Sequence, residues 1–228
     1  MTTDGTQEKP LWLQGRDAML EREQGVVWRK GPPDYTLSRQ TLHAERTHHF
    51  APDSLEAAVE LIVQVYELEV SHKKDPAQWN CLVHDQFRTR TNGGPWYTVK
   101  DIAEKGSYNL FIGETPFYSA ANETFDSSTE IFKAAMPGGF FWEVLEVYSP
   151  PPVVAFRWRH WGTFAGPYFG HPPSGERVEM FGMTVARCAD DLRLLEVEHF
   201  YDNSLFLSQL TKGCPIAHRG PAGGPPAP

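Results

Sequence analysis

Two strand-like runs, Leu194-Leu-Glu-Val-Glu-His-Phe-Tyr-Asp202 and Val153-Val-Ala-Phe-Arg-Trp-Arg-His-Trp-Gly-Thr-Phe164, set ionisable groups between aromatic rings. Neighbouring side chains on a strand point to opposite faces, so Glu198, Phe200 and Asp202 share one face and Phe156, Trp158 and His160 share another. A carboxylate against aromatic walls loses solvation and its pKa rises, which makes it an acid or base usable near neutral pH. The same pattern also describes Glu198 paired with Arg157 or Arg159 across two strands on a solvated face.

Other chemistries find less support. The spacing Cys81-Leu-Val-His84 has no second Cys/His pair to complete a zinc site, and no Gly-x-Ser-x-Gly elbow is present, so neither a metal nor an activated serine is expected. Cys214-Pro215 followed by His218 suits a haem or metal ligand only if that Gly/Pro-rich end is ordered. Three widely spaced cysteines fit reduced thiols.

Helices must position these strands. After Pro52, Asp53 or Ser54 can cap a helix whose apolar stripe is Leu55, Val59, Ile62, Tyr66 and Val70, with Glu56, Glu60, Gln64 and Glu67 elsewhere on the wheel and Asp75-Pro76 as its end. A shorter polar helix is expected from Thr36 to about His49. Thr98-Val-Lys-Asp101 can cap another running to about Phe111, and Ser127-Ser-Thr-Glu130 one that ends before Pro137. Between them, residues 79–96 read as a loop with His84, Asp85, Arg88 and Arg90 among apolar neighbours. Beyond Gly139 the period becomes that of strands over 140–148, 153–164, 177–187 and 192–201, and 203–210 reads as a terminal helix. Helices followed by an antiparallel meander give an α+β protein in which three or four helices pack on a curved, cone-shaped antiparallel sheet. Residues 1–34 form an N-terminal extension, 35–212 the domain, and 213–228 a disordered Gly/Pro tail.

The chain of 228 residues carries a net charge of −8, which argues against nucleic acid or an anionic membrane as partner. The beginning is polar and no stretch approaches the roughly eighteen apolar residues of a membrane helix, so a cytoplasmic protein is expected. With 14 Phe, 7 Trp and 8 Tyr, the rings either fill a core or line a pocket for an apolar conjugated ligand.

The runs Arg159-His-Trp-Gly-Thr-Phe-Ala-Gly166, Gly170-His-Pro-Pro-Ser-Gly-Glu-Arg-Val-Glu179, Phe181-Gly182 and Glu198-His-Phe-Tyr-Asp202, with Gln209-Leu210, resemble the SnoaL-like polyketide cyclases of the nuclear-transport-factor-like superfamily. Val27-Trp-Arg29, Gly31-Pro-Pro-Asp-Tyr35, Glu45-Arg-Thr47, Thr91-Asn-Gly93, Tyr108-Asn109 and Gly213-Cys-Pro215 extend the resemblance, over nearly the whole chain, to the pathogen-related protein group of cereals and its fungal relatives. The resemblance implies a pocket between the long helix and the concave sheet face. It implies proton removal from a carbon between two carbonyls, with Asp202 in the position of the acid/base and no cofactor or metal needed. On that footing His160 donates to the developing enolate, Glu198 shares or tunes the proton, and Phe156, Trp158, Phe200 and His84 bind a polyketide-like substrate in an aldol or lactone ring closure of secondary metabolism. Glu198 departs from the Trp usual there in smaller cyclases. The alternative is a non-catalytic protein that binds a small molecule in stress or pathogen response. The family's habit of pairing through the outer sheet face implies a homodimer, burying the side with Val197, His199 and Tyr201.

Overall fold

The computed structural model describes residues 9–214 and 216. A 3-10 turn, Leu11–Leu13, precedes α1 (Arg16–Arg22), α2 (Thr36–Glu45) and the long α3 (Leu55–His72). Two short strands, β1 (Arg88–Thr91) and β2 (Tyr97–Thr98), lead into α4 (Val99–Lys105), α5 (Ser107–Ile112) and α6 (Phe125–Ala135). The chain then forms β3 (Phe140–Val147), β4 (Val153–Thr163), β5 (Arg177–Cys188), β6 (Leu194–Tyr201) and α7 (Asn203–Thr211). Among the described residues no helix is long and apolar enough to cross a membrane.

The fold is α+β, with helices packed against one curved, unclosed sheet of strand order β2-β1-β6-β5-β4-β3. The expected four-strand meander is present, and the sheet is larger than expected. β1 joins the free edge of β6 in parallel, Arg88 opposite Glu196 and Thr91 opposite His199, so the sheet is mixed rather than wholly antiparallel. Register shifts leave Leu145 of β3 and Leu195 of β6 as extra, unpaired residues, and such bulges bend strands. Gly182 lets the Trp158 indole lie against β5: a Cβ there would stand 2.3 Å from the ring.

Several helix starts are local chemistry. The Ser54 hydroxyl accepts from Ala57 N–H to cap α3, and Thr98 and Asp101 form the expected capping box of α4. That helix does not run on to Phe111. Gly106, at φ +87°, breaks it where a side chain would press on Phe125, and α5 begins anew. The next helix also starts earlier than expected, because Thr124 and Ser127 make the box, not Ser127 and Glu130.

The N-terminal segment packs on α3. Trp12 and Met19 are buried with Val65 and Leu68 of α3, each large apolar side chain contributing roughly 1.5–3 kcal/mol as an upper bound. Lys73, fully buried, donates to Glu23 at 2.7 Å, to Glu69 at 3.0 Å and to the Gln78 carbonyl at 2.8 Å. Glu69, also fully buried, accepts from the N–H groups of Asn80 and Cys81 at 2.8 and 2.9 Å. Of the 213–228 tail only Gly213, Cys214 and Ile216 are described; Pro215 and His218, half of the haem or metal alternative, lie outside the described residues.

Candidate functional site

A cavity of about 460 Å³ lies between α3, α5 and the concave sheet face. Its wall includes Val59, Ile62 and Tyr66 of α3, Phe111 of α5, Trp142 of β3 and Phe156, Trp158 and His160 of β4. β5 and β6 add Thr184, Val197 and His199, and the N-terminal segment adds Arg16, Arg29 and Tyr35. This size and apolar lining are typical of small-molecule sites.

Three imidazoles sit in that wall, His72, His160 and His199, and burial keeps the last two neutral at pH 7. The His199 pKa is pulled down to about 4 and that of His160 to about 3. His160 stacks on Phe140 with ring centroids 3.6 Å apart, and its Nδ1 is buried without a partner. His199 meets the Phe111 edge at 5.0 Å, and its Nδ1 lies 2.9 Å from the Thr184 hydroxyl. That hydroxyl accepts from Trp158 Nε1–H, also at 2.9 Å. An indole nitrogen can only donate, and the hydroxyl has no acceptor other than His199 Nδ1 among the described residues, so its proton is directed there and the imidazole proton is assigned to Nε2.

Glu67, on α3, is a carboxylate of the cavity wall. It accepts from Tyr35 Oη at 2.7 Å, His72 Nε2 lies 3.3 Å away, and Arg16 stands at 4.0 Å. Burial raises its pKa, but the bonds to His72 and Tyr35 and the Arg16 charge outweigh it and leave the pKa below the ordinary value. Burial, reinforced by Glu67, pushes Tyr35 the other way, far above the ordinary phenol range. At neutral pH the group is therefore a carboxylate served by a neutral phenol.

The residues expected from the sequence divide. Phe156, Trp158 and His160 line the cavity. Asp202, Glu198 and Phe200 do not, because β6 presents the opposite face to that expected. Val197 and His199 line the cavity, and Tyr201 stacks on Phe111 with centroids 4.5 Å apart. Asp202 is exposed and accepts from Leu205 N–H at 2.8 Å, the N-cap of α7. Glu198 accepts from Arg90 Nη2 at 2.8 Å, and Phe200 is 43% exposed on the convex face. Exposed His84 donates to the Trp79 carbonyl at 2.7 Å and is not part of the wall. The cross-strand pairing of Glu198 with Arg157 or Arg159 is also replaced. Arg159 is buried on Glu143 at 3.0 Å, and Arg157 lies 3.8 Å from Glu146.

A pathogen-related protein of Hordeum vulgare is 36% identical over 211 residues, 85% of this chain and 90% of its own. A profile described as SnoaL-like polyketide cyclase matches residues 119–210, a span holding β3–β6 and most of α7. The chain belongs to the SnoaL-like family, in the pathogen-related protein group. Solved SnoaL-like structures share little sequence with it. One from Jannaschia sp. CCS1 is 15% identical with a TM-score of 0.41, covering 74% of this chain and 99% of that one. IdmH from Streptomyces antibioticus is 20% identical with a TM-score of 0.40, covering 66% and 95%.

In this SnoaL-like protein the wall residues that sequence reasoning missed are His199, Thr184, Glu67, Tyr35 and His72. Glu67 had a visible signal, since Val59, Val63 and Glu67 follow one another at intervals of four and share a helix face. His199 and Thr184 had none, because they meet through the register of β5 on β6.

Proposed function

We propose that the protein is a cofactor-independent cyclase or isomerase that removes a proton from an activated carbon of a polyketide-like substrate in secondary metabolism. The observation that carries the reading is an aromatic-walled cavity holding neutral imidazoles and an ionised carboxylate. In this proposal Glu67 is the base, which moves that role from Asp202 to the carboxylate inside the cavity. A carbon between two carbonyls gives its proton to Glu67, and the electron pair passes to a carbonyl oxygen. His199 Nε2–H donates to that oxygen, as a neutral imidazole stabilises an enolate without transferring its own proton. The enolate carbon then attacks a second carbonyl held nearby by the rings, and Glu67 returns the proton to the new alkoxide. Substrate conjugation stabilises the intermediate, and holding one folded conformer of a flexible chain supplies further rate.

The test is to incubate the protein with linear poly-β-keto acids and their esters and follow isomeric or dehydrated products by absorbance and mass spectrometry. Glu67→Gln is expected to slow turnover by about a hundred- to ten-thousandfold while ligand still binds. Undiminished turnover in that variant, or recovery of every compound unchanged by the unaltered protein, overturns the proposal.

The expected homodimer also moves to a new face. Val197, His199 and Tyr201 face inward, whereas Phe181, Met183 and Phe200 lie together on the convex face, 55%, 39% and 43% exposed. We infer pairing through these three residues. Light scattering should give a dimer at micromolar concentration that Phe181→Asp dissociates, and a monomeric unaltered protein refutes it.

A further inference from the structure

One end of the cavity holds a cation that the proposed proton transfer does not use. Arg29 lines the wall there with Ser107, Phe125, Asp126 and Lys133. Its guanidinium lies over the Phe125 ring, 3.7 Å from the centroid. One nitrogen, Nη2, makes a long contact of 3.5 Å to the Ala103 carbonyl, and Nε is buried with no partner. Arg29 makes no salt bridge among the described residues, although Asp126 is near enough to act on it electrostatically. Burial lowers its pKa, and the Asp126 charge only partly offsets this.

The side chain is anchored where it stands. Arg29 N–H donates to the His72 carbonyl at 2.9 Å, and the preceding Trp28 bridges to Lys73. The adjacent Lys30 is engaged by Glu130, whereas Lys133, exposed one helical turn from Glu130, has no ion pair among the described residues. The end of the cavity thus presents an under-satisfied guanidinium with Nε and Nη2 on one edge. A guanidinium fork matches the two oxygens of a carboxylate.

We infer that the ligand of this cavity carries a carboxylate, bound by the Arg29 guanidinium, with its apolar body among the rings. The inference rests on the proposed reading of the cavity as a substrate site, but not on the proton transfer. Lys133 adds long-range attraction at the rim, and Asp126 opposes it. The favoured substrate class is therefore a conjugated polyketide-like acid in free form, rather than an ester or a neutral pyrone.

Pyrenebutyric acid and its methyl ester, titrated by fluorescence at neutral pH, test the inference without any turnover assay. The unaltered protein should bind the acid about ten- to a hundredfold more tightly than the ester, the range set by a charge-assisted hydrogen-bonded pair. Arg29→Gln should abolish that preference, lowering acid affinity about ten- to a hundredfold more than ester affinity, and Asp126→Asn should strengthen acid binding several-fold. If Arg29→Gln does not fold, Arg29→Lys serves, with a reduced preference expected. Equal binding of acid and ester, a preference that survives Arg29 replacement, or no binding of either probe overturns the inference. A protein that prefers the acid yet converts no substrate leaves the carboxylate site standing and refutes the cyclase alone.

Discussion

Replacing Thr184 by valine removes one hydroxyl from the cavity wall and keeps the side-chain shape. Trp158 and Thr184 are both 2% exposed, and the hydroxyl is the hydrogen-bond partner of the Trp158 indole and of His199 Nδ1. A buried polar group left without a partner costs about 1–3 kcal/mol. His199 borders the cavity and can recruit water there, whereas the indole cannot, so the two losses together come to about 2–4 kcal/mol. For a domain of this size that lowers Tm by roughly 4–16 °C. Thr184→Ser keeps the hydroxyl and loses only a methyl group, at about 1 kcal/mol. Urea unfolding of the two variants measures the difference, and nitrogen NMR of the imidazole reads which ring nitrogen carries the proton. In the unaltered protein and in Thr184→Ser that is Nε2, and in Thr184→Val both tautomers should appear. Equal stability of the valine and serine variants, or an unchanged tautomer in the valine form, would refute the bridging role of the hydroxyl.

The two neutral imidazoles make stability depend on pH. Their folded pKa values, about 4 for His199 and about 3 for His160, lie below the ordinary 6.5, so the unfolded chain binds more protons and stability falls as pH drops through that window. Each ring should cost roughly 2 kcal/mol between pH 7 and pH 5, and a flat urea-unfolding profile over that range would contradict their burial. Lys73→Met leaves the buried Glu69 without its cation and should cost about 3–5 kcal/mol in urea unfolding; a loss below about 1 kcal/mol would mean the charges are not buried. Gly182→Ala puts a methyl group 2.3 Å from the Trp158 ring and 2.8 Å from the Phe200 carbonyl. Overpacking of about 1–3 kcal/mol and an altered near-ultraviolet circular dichroism are expected, and an unchanged spectrum would count against the indole's place over β5.

Much of the scaffold was legible because its signals are local. The α3 stripe and the Thr98/Asp101 box lie within a few residues, and alternation outlined β3 to β6 to within two residues at each end. β1 and β2 escaped because they are short and their sequences, Arg-Thr-Arg-Thr and Tyr-Thr, show no apolar alternation. That omission has a chemical consequence. Glu196 and Glu198 face Arg88 and Arg90 of β1, and with β1 hidden the only cross-strand partners on offer for Glu198 are Arg157 and Arg159 of β4. Alternation sorts β6 into two faces without saying which one is concave. Phe156, Trp158 and His160 were found because β4 has strong alternation and a partner on either side. The Glu67–Tyr35 bond joins α3 to the residue before α2 across 32 residues and leaves no trace at the level of spacing.

The strand order has a consequence for synthesis. β6 is the last strand to leave the ribosome, yet it lies between β1 and β5. Until it emerges, β1 and β2 have no sheet to join, and the chamber lacks the wall that carries His199. A nascent chain therefore carries β1 with an open edge while residues 92–193 are made, an interval of exposure to aggregation and to chaperones.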